Sequence, residues 1–348
     1  MTVTVRSFAK INLGLRIGAA REDGFHELLT VYQTIGLHDV IRVSVGRGSG
    51  IEIQCADPRV PKDESNTCFR IVERAMRALR AKGRVVIEIE KRLPVQGGLG
   101  GASANAVATL LGLERALRKA LPAAERLRIA AEVGSDLPLF LVGGTVLGVG
   151  RGEQVYPLPE LPVLACVVVT PKVGVSTPKA FADWDRRGAS QGLKPGSSED
   201  VNAALKGRSS TAVPIKIGAK LTVSSGSDRM NELGRGLSAW LSEMYSGAPF
   251  GRGRAENPLL ALVRAGIKND FEEVVFPEYP ELSSGKSALL RAGAKYASLS
   301  GSGSTLYGLF ASREAAVRAV ARMRKQGWAA QATATLPRRA YWKRVVAK

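Results

Sequence analysis

A glycine-rich segment in the first third of the chain is the strongest chemical signal in the sequence. Residues 97–105 read Gly-Gly-Leu-Gly-Gly-Ala-Ser-Ala-Asn. Glycine tolerates positive φ, so successive backbone amides in such a loop can converge on phosphate oxygens. The alanine- and leucine-rich stretch that follows predicts a helix from about Ser103, whose unpaired N–H groups and dipole also favour anions. Phosphate binding is therefore favoured over the alternative, a flexible turn between strand and helix.

This segment matches neither of two common nucleotide motifs. No Gly-Lys-Ser or Gly-Lys-Thr follows, as a Walker A loop requires. No acidic residue ends a strand about twenty positions later, as a dinucleotide-binding fingerprint requires. Any nucleotide bound here is held in another way.

Two charged residues lie in apolar surroundings, Lys10 in FAKINLGL and Asp136 in GSDLPLF. A charge in such a setting is costly unless it is paired. Transfer of a phosphoryl group to a hydroxyl needs a carboxylate to accept the proton and a cation to offset developing charge. Asp136 and Lys10 fit these roles. Considered alone, however, the pattern around each of them indicates an ordinary surface residue. The spacing does not reveal whether they meet.

Two further segments carry weaker signals. Phe25 and His26 follow a turn at Glu22–Gly24, and an aromatic ring beside a histidine can stack on a planar base and hydrogen-bond to it. Ser300–Ser304 reads SGSGS, a second glycine-rich loop before a strand. Taken singly, the first indicates a structural histidine and the second a tight turn.

The elements around these residues alternate between strand and helix. Val3–Phe8 and Val40–Val45 have the period-two pattern of half-buried strands, and Asn66–Leu79 has helical spacing with Asn66 as its N-cap. Arg186–Asn257 is rich in Gly, Ser and Arg and predicts an elaborated loop region, with an amphipathic helix only at Met230–Tyr245.

Length and composition narrow the class of protein. A chain of 348 residues, 45% hydrophobic and 23% charged, favours two globular domains and excludes collagen-like, coiled-coil and wholly disordered chains. The net charge of +19 suits an anionic partner. Three scattered cysteines and two histidines predict neither a disulfide framework nor a zinc site. With no apolar run near eighteen residues and no signal-peptide pattern at the start, we expect a cytoplasmic protein that contacts no membrane.

Together these segments resemble the GHMP kinase superfamily. The motifs occur in the family order: AKINL followed by DGFHEL, then PVQGGLGGASAN, then LSGSGS. The AKINL and DGFHEL pair resembles the branch that phosphorylates a cytidylated methylerythritol in the non-mevalonate route to isoprenoid precursors. The resemblance implies a two-domain α+β fold, with an ATP-binding domain over 1–160, a ferredoxin-like domain over 161–348 that carries an atypical insert at about 186–257, and the active site in the cleft between them.

The resemblance also implies roles for individual residues. Asp136 would take the proton of the substrate's 2-hydroxyl, with Lys10 beside it. ATP, accompanied by Mg²⁺ whose ligands stay unknown, would contact Asn66, Pro94, Gly97, Gly98, Leu99, Gly100, Gly101, Ala102, Ser103 and Ala104. The alcohol substrate would contact Asn12, Phe25, His26, Asn105, Phe181, Gly301 and Ser302. The chain departs from the family pattern at Ala102, at Ala104 (usually serine) and at Phe25 (commonly tyrosine).

Other functions stay open at this point. The chain is alternatively a GHMP kinase for another small alcohol, or a binding-only relative. A less favoured alternative is a nucleic-acid-binding protein, because Arg313–Lys348 holds ten basic residues and one acidic residue, with Tyr341 and Trp342 among them. The resemblance is compatible with a monomer or a homodimer.

Overall fold

The structure is a computed structural model that describes residues 1–190, 230–238 and 267–346. Its first half is built on a six-stranded sheet in which β2 pairs with β1, β4 and β5, β4 with β3, and β5 with β6. The strands are β1 Thr2–Ala20, β2 His26–Gly46, β3 Ile51–Cys55, β4 Arg84–Glu90, β5 Thr145–Val149 and β6 Gln154–Pro157.

Helices cover this sheet, and their sequences explain how they pack. The helices are α1 Thr67–Ala78, α2 Gly101–Leu117, α3 Ala123–Val133 and α4 Leu137–Val142. In α2, every residue from Ala104 to Glu114 is buried, which accounts for its run of alanine and leucine. By contrast, α1 buries only Cys68, Ile71, Val72 and Ala75, one stripe of an amphipathic helix.

The second half contains a four-stranded antiparallel sheet in the order β10, β7, β9, β8. Its strands are β7 Ala165–Thr170, β8 Tyr296–Leu299, β9 Leu306–Phe310 and β10 Ala329–Ala334. The helices of this half are α5 Thr177–Ser190, α6 (230–238), α7 Glu272–Glu278, α8 Pro280–Arg291 and α9 Arg313–Lys325. The mixed helix and sheet content confirms the α+β prediction.

The end of the described chain returns to the first half. Helix α10, Arg338–Val345, buries Tyr341, whose hydroxyl donates to the Phe140 carbonyl at 2.7 Å. The Leu336 amide donates to the Thr34 carbonyl at 2.8 Å, and Val346 bridges to Val5. The basic segment Arg313–Lys348 is therefore divided: its helix α9 belongs to the second half, whereas α10 packs on the first half. The domain boundary near residue 160 stays a prediction.

The structure extends some predicted elements and leaves others outside the described residues. The predicted strands Val3–Phe8 and Val40–Val45 are parts of much longer strands, which remain paired across register shifts such as the one between Phe8 and Lys10. The predicted helix Met230–Tyr245 is helical over 230–238, where Leu233 and Leu237 are buried. Most of the predicted insert, 191–229 and 239–257, lies outside the described residues.

None of the helices in the described ranges is both long and apolar enough to span a membrane.

Candidate active site

A cleft of about 640 Å³ brings the predicted site residues together. Its walls come from β1 and β2, the start of α1, the end of β4, both glycine-rich loops, and α5. All of the predicted residues line it except Ala104, which is buried in α2 at 2% exposure. The Ala104 amide donates to the Gly100 carbonyl within the helix. The structure does not bring the Ala104 side chain to the cleft.

The first glycine loop, Pro94–Ser103, curves into the start of α2. Gly98 and Gly100 have φ of +75° and +67°, the left-handed region that favours glycine. Gly100 is the N-cap, and no described side chain caps this helix. Gly101, Ala102 and Ser103, in the first turn, line the cleft. The positive end of α2 therefore faces the space where a phosphate would bind.

The second glycine loop, Ser300–Thr305, packs directly against the first. The Ser300 hydroxyl donates to the Gly98 carbonyl at 2.9 Å, and the Thr305 amide donates to the Gly97 carbonyl at 3.2 Å. A Cβ added at Gly98 would lie 2.1 Å from the Ser300 carbonyl oxygen. The close approach of the two loops thus requires glycine at position 98.

An asparagine holds the second loop from behind. Asn269 is buried, and its amide nitrogen donates to the carbonyls of Leu299 at 2.8 Å and Gly301 at 2.7 Å. Its side-chain oxygen accepts from the Phe271 amide at 3.1 Å. At the cleft surface, the hydroxyls of Ser302 and Thr177 hydrogen-bond at 2.7 Å. Asn269 and Thr177 lie outside any sequence pattern that predicts a role, because their partners are backbone atoms and a distant helix.

Lys10 and Asp136 meet at the centre of the cleft. Lys10 Nζ lies 3.3 Å from Asp136 Oδ2 and donates to Asn12 Oδ1 at 2.7 Å. The lysine is 4% exposed and Asp136 is 30% exposed, so the carboxylate is the partner that reaches the open space. The apolar setting of Lys10 in the sequence is thus explained by a buried cation with its counter-charge.

The geometry of strand β1 fixes this arrangement. Lys10 and Asn12 are two positions apart and point to the same side of the strand, and the Lys10 amide donates to the Leu99 carbonyl at 3.0 Å. The Asn12 amide nitrogen donates to Thr30 Oγ1 at 2.8 Å, which directs its oxygen toward Lys10. Asp136 precedes α4 but makes no side-chain capping bond, so its carboxylate stays available to the cleft.

Tyr32 is a cleft residue that the sequence pattern conceals. Its hydroxyl donates to Asp136 Oδ1 at 3.0 Å. Burial and the neighbouring Asp136 carboxylate raise the pKa of Tyr32 well above its usual value, so the phenol stays protonated. The residue occupies a buried position on β2, where any large apolar side chain would fit the period-two pattern.

The end of the cleft near α1 contains a second pair of charges. Lys91 Nζ contacts Asp39 Oδ2 at 2.5 Å and would lie 3.4 Å from a Cβ built on Gly101. Asn66 lines this end, but its side-chain oxygen accepts from the Cys68 amide and its nitrogen donates to the Pro61 carbonyl. The predicted N-cap is confirmed, and the proximity of Asn66 to adenine stays a prediction.

Four aromatic rings line another part of the cleft, which is called the aromatic end. His26 and Phe181 stack with centroids 4.9 Å apart and an interplanar angle of 14°. His26 Nε2 lies 2.7 Å from Asp185 Oδ1, and Phe271 contacts Phe181 edge-on at 4.9 Å. Phe25 is 48% exposed, with the Arg151 guanidinium 4.8 Å from its ring centroid.

Asn105 completes the set of predicted residues. Its side-chain oxygen accepts from the Ser7 hydroxyl at 2.6 Å, and it is 4% exposed. It lies one turn into α2 and lines the cleft together with Lys10 and Gly100.

Comparisons with known proteins agree with this geometry. Residues 66–144 match the family described as GHMP kinases N terminal domain, and residues 255–328 match GHMP kinases C terminal. The chain is 35% identical to a 4-diphosphocytidyl-2-C-methyl-D-erythritol kinase of Solibacter usitatus, over 91% of this chain and 84% of the relative.

Solved structures point the same way. A crystal structure of 4-(cytidine 5'-diphospho)-2C-methyl-D-erythritol kinase has a TM-score of 0.65 and 26% identity, over 95% of this chain and 98% of that one. Homoserine kinase from Cytophaga hutchinsonii has a TM-score of 0.63 over 97% and 95% of the two chains, but at 19% identity it shows the fold alone.

The predicted superfamily is thereby confirmed, and the chain is a small-molecule kinase. It belongs to the GHMP kinases and, within them, to the family of 4-diphosphocytidyl-2-C-methyl-D-erythritol kinases.

Proposed function

We propose that this kinase transfers the γ-phosphoryl group of ATP to the 2-hydroxyl of 4-(cytidine 5′-diphospho)-2-C-methyl-D-erythritol. The products are the 2-phosphate and ADP, in the non-mevalonate route to isoprenoid precursors. One observation carries the proposal: the Lys10–Asp136 pair, 3.3 Å apart, lines a single cleft together with two glycine loops and a group of aromatic rings.

The chemical step we propose uses Asp136 as the proton acceptor. The substrate oxygen forms a bond to the γ-phosphorus while the bond to the bridging β–γ oxygen breaks, and the hydroxyl proton passes to Asp136. The ammonium group of Lys10 is placed to offset negative charge that develops on the attacking oxygen. Because little covalent work falls to the protein, positioning and charge neutralisation supply most of the rate.

The first glycine loop is proposed to hold the ATP phosphates. Its two positive-φ glycines and the first turn of α2 present backbone amides rather than side chains, which suits a polyanion. The presence of alanine at positions 102 and 104 should therefore weaken phosphate binding little. Backbone groups are proposed to hold the phosphates, and Ala104 does not line the cleft. Lys91, close to Gly101, adds a positive charge on the same side.

Mg²⁺ is proposed to enter with ATP. Among the described residues, no group of three or more His, Cys, Asp or Glu is arranged to hold a metal ion. We propose that phosphate oxygens and water would supply most ligands of the ion, and that the Ser103 hydroxyl, which lines the cleft, would be a protein ligand. When bound, Mg²⁺ would neutralise phosphate charge.

The aromatic end is proposed to bind the cytidine moiety. Phe25 and Phe181 offer faces for the cytosine ring, and His26 offers hydrogen bonds at its edge. These rings line the same cleft as the first glycine loop, Lys10 and Asp136. We further propose a cytoplasmic protein, monomeric or homodimeric.

A substrate panel tests this function. ADP release would be measured with Mg-ATP and each of four alcohols: the cytidylated methylerythritol, mevalonate, homoserine and galactose. We expect turnover of the cytidylated alcohol alone. The Asp136→Asn variant should lose about 10³-fold in kcat, because general-base catalysis typically contributes 10²–10⁴-fold.

The control is an ATP affinity that matches the wild type, measured at a temperature where Asp136→Asn is folded. Turnover of another alcohol in the panel would assign a different small-alcohol kinase. ATP binding without any turnover would assign a binding-only relative, and an active Asp136→Asn variant would remove the carboxylate from the mechanism.

A further inference from the structure

Tyr32 makes a hydrogen bond to the carboxylate at the centre of the cleft. Its hydroxyl donates to Asp136 Oδ1 at 3.0 Å, while Lys10 Nζ lies 3.3 Å from Oδ2 of the same carboxylate. We propose that Tyr32 is a positioning residue that orients Asp136 for proton transfer. The inference deepens the proposed function and rests on it.

The fold gives the phenol no room to turn away. Tyr32 is 2% exposed, in the middle of β2. A Cβ built on Gly148 would lie 2.5 Å from Tyr32 Cε2, and one built on Gly152 would lie 2.4 Å from its hydroxyl oxygen. Two glycines thus line a slot that fits the tyrosine ring and its hydroxyl. Such a locked side chain can hold its partner within the tolerance that catalysis demands.

The two donors contact different oxygens of the Asp136 carboxylate. Tyr32 from β2 holds Oδ1 and Lys10 from β1 holds Oδ2, so the plane of Asp136 is fixed by contacts on both oxygens. If the phenol were removed, the contact with Lys10 would be the one of these two contacts that remains. We infer that the substrate hydroxyl meets an acceptor whose rotation is already restricted.

The protonation states agree with this role. Burial, Asp136 and Glu153 raise the pKa of Tyr32 and favour its protonated form. The charged Lys10 also faces the phenol, with Nζ 5.5 Å from the ring centroid. A phenol that stays protonated donates over the whole physiological pH range. Its hydroxyl can therefore hold Asp136 Oδ1 throughout that range.

The test is the steady-state kinetics of Tyr32→Phe, which removes only the hydroxyl. We expect kcat to fall about 10-fold, because the lost hydrogen bond was made to a charged group. The KM values for ATP and for the alcohol should stay within about twofold. The alcohol is the one that the wild type turns over best in the panel, so a failed substrate assignment does not affect this comparison.

The matched control is Tyr341→Phe. That hydroxyl is also buried and also makes one hydrogen bond, to the Phe140 carbonyl at 2.7 Å, but Tyr341 does not line the cleft. It should lower the thermal midpoint without changing kcat. An unchanged kcat in Tyr32→Phe, or an equal fall of kcat in both variants, would overturn the proposal.

A double mutant separates positioning from general packing. In an Asp136→Asn background the carboxylate is gone, so adding Tyr32→Phe should change the residual kcat by less than about twofold. A further 10-fold loss in that background would mean that Tyr32 acts through something other than Asp136, and the proposal would fail.

Discussion

The two ends of the cleft differ in the groups that form them: main-chain groups at one end and side-chain rings at the other. At the proposed phosphate end, the two glycine loops contact each other through backbone groups, and the Gly97 carbonyl accepts from the Thr305 amide at 3.2 Å. At the aromatic end, the cleft is lined by side-chain rings at a turn and on helix α5, and Phe25 is almost half exposed. The first end is fixed by close packing of the main chain, whereas the second is formed by side chains at the rim.

This difference predicts which end would select the alcohol substrate. Backbone amides carry no information about the alcohol, so the proposed phosphate end would suit kinases of several alcohols. Rings and a histidine at the other end can distinguish one substrate from another. Substitutions at the phosphate end should therefore affect folding and kcat, and those at the aromatic end should affect KM for one substrate.

Among substitutions that distinguish the two ends of the cleft, the largest expected effect comes from Gly98→Ala. The new Cβ would lie 2.1 Å from the Ser300 carbonyl oxygen, and φ at this position is +75°. One of the glycine loops must then move away from the other. We expect the thermal midpoint to fall by roughly 10 °C and kcat to fall at least 100-fold, measured by calorimetry and ADP release.

Gly24→Ala is the matched control. Its φ is +80°, nearly the same as at Gly98, but no atom outside its chain neighbours lies within 4 Å of the added Cβ. Only the backbone strain of about 1–2 kcal/mol remains, so the midpoint should fall by roughly 2–6 °C. Equal losses in the two variants would show that left-handed strain, and not contact between the loops, makes Gly98 necessary.

The sequence predicts the phosphate end well because its signal is local. A dense glycine run followed by a helix is read directly from residues 97–117, and Lys10 and Asp136 are conspicuous as charges among apolar residues. Their contact is not local, since β1 and the start of α4 meet only in the folded chain. The family resemblance, and not the spacing, predicted that they would lie close together.

Other parts of the site carry no such signal. Tyr32 lies 104 positions before Asp136 and resembles any buried strand residue in the sequence. The stack of His26 on Phe181 and the contact of His26 with Asp185 depend on where α5 packs. Long strands with register shifts were also beyond local patterns, because a bulge interrupts the period-two alternation that marks a strand.

A smaller effect is expected at the aromatic end, from Phe181→Ala. Removing this ring takes away one face proposed to hold cytosine, and stacking of a base on an aromatic side chain is worth about 1–3 kcal/mol. KM for the cytidylated alcohol should rise about 10-fold or more. The value of kcat and the KM for ATP should stay within about twofold, as steady-state kinetics with each substrate varied would measure.

Phe181→Leu separates stacking from apolar packing. Phe181 also contacts Phe271, so a stability change is expected in either variant. If leucine restores the thermal midpoint but not KM, the ring itself is needed for the substrate. A fall in kcat at unchanged KM would instead place Phe181 with the transfer chemistry and remove the distinction between the two ends.

The smallest effect is expected from Asp185→Asn, which weakens support for His26 without touching the rings. Asp185 Oδ1 lies 2.7 Å from His26 Nε2, but the carboxylate is 55% exposed, and exposed charge pairs contribute little. Asparagine can still hydrogen-bond to the imidazole, so KM for the cytidylated alcohol should rise only about two- to threefold. Asp183→Asn is the control, because this carboxylate is on the same helix and pairs with Lys179 instead. A KM change shared by both variants would point to the helix, whereas a change confined to Asp185 would mean that the rim recognises its substrate partly through an oriented histidine.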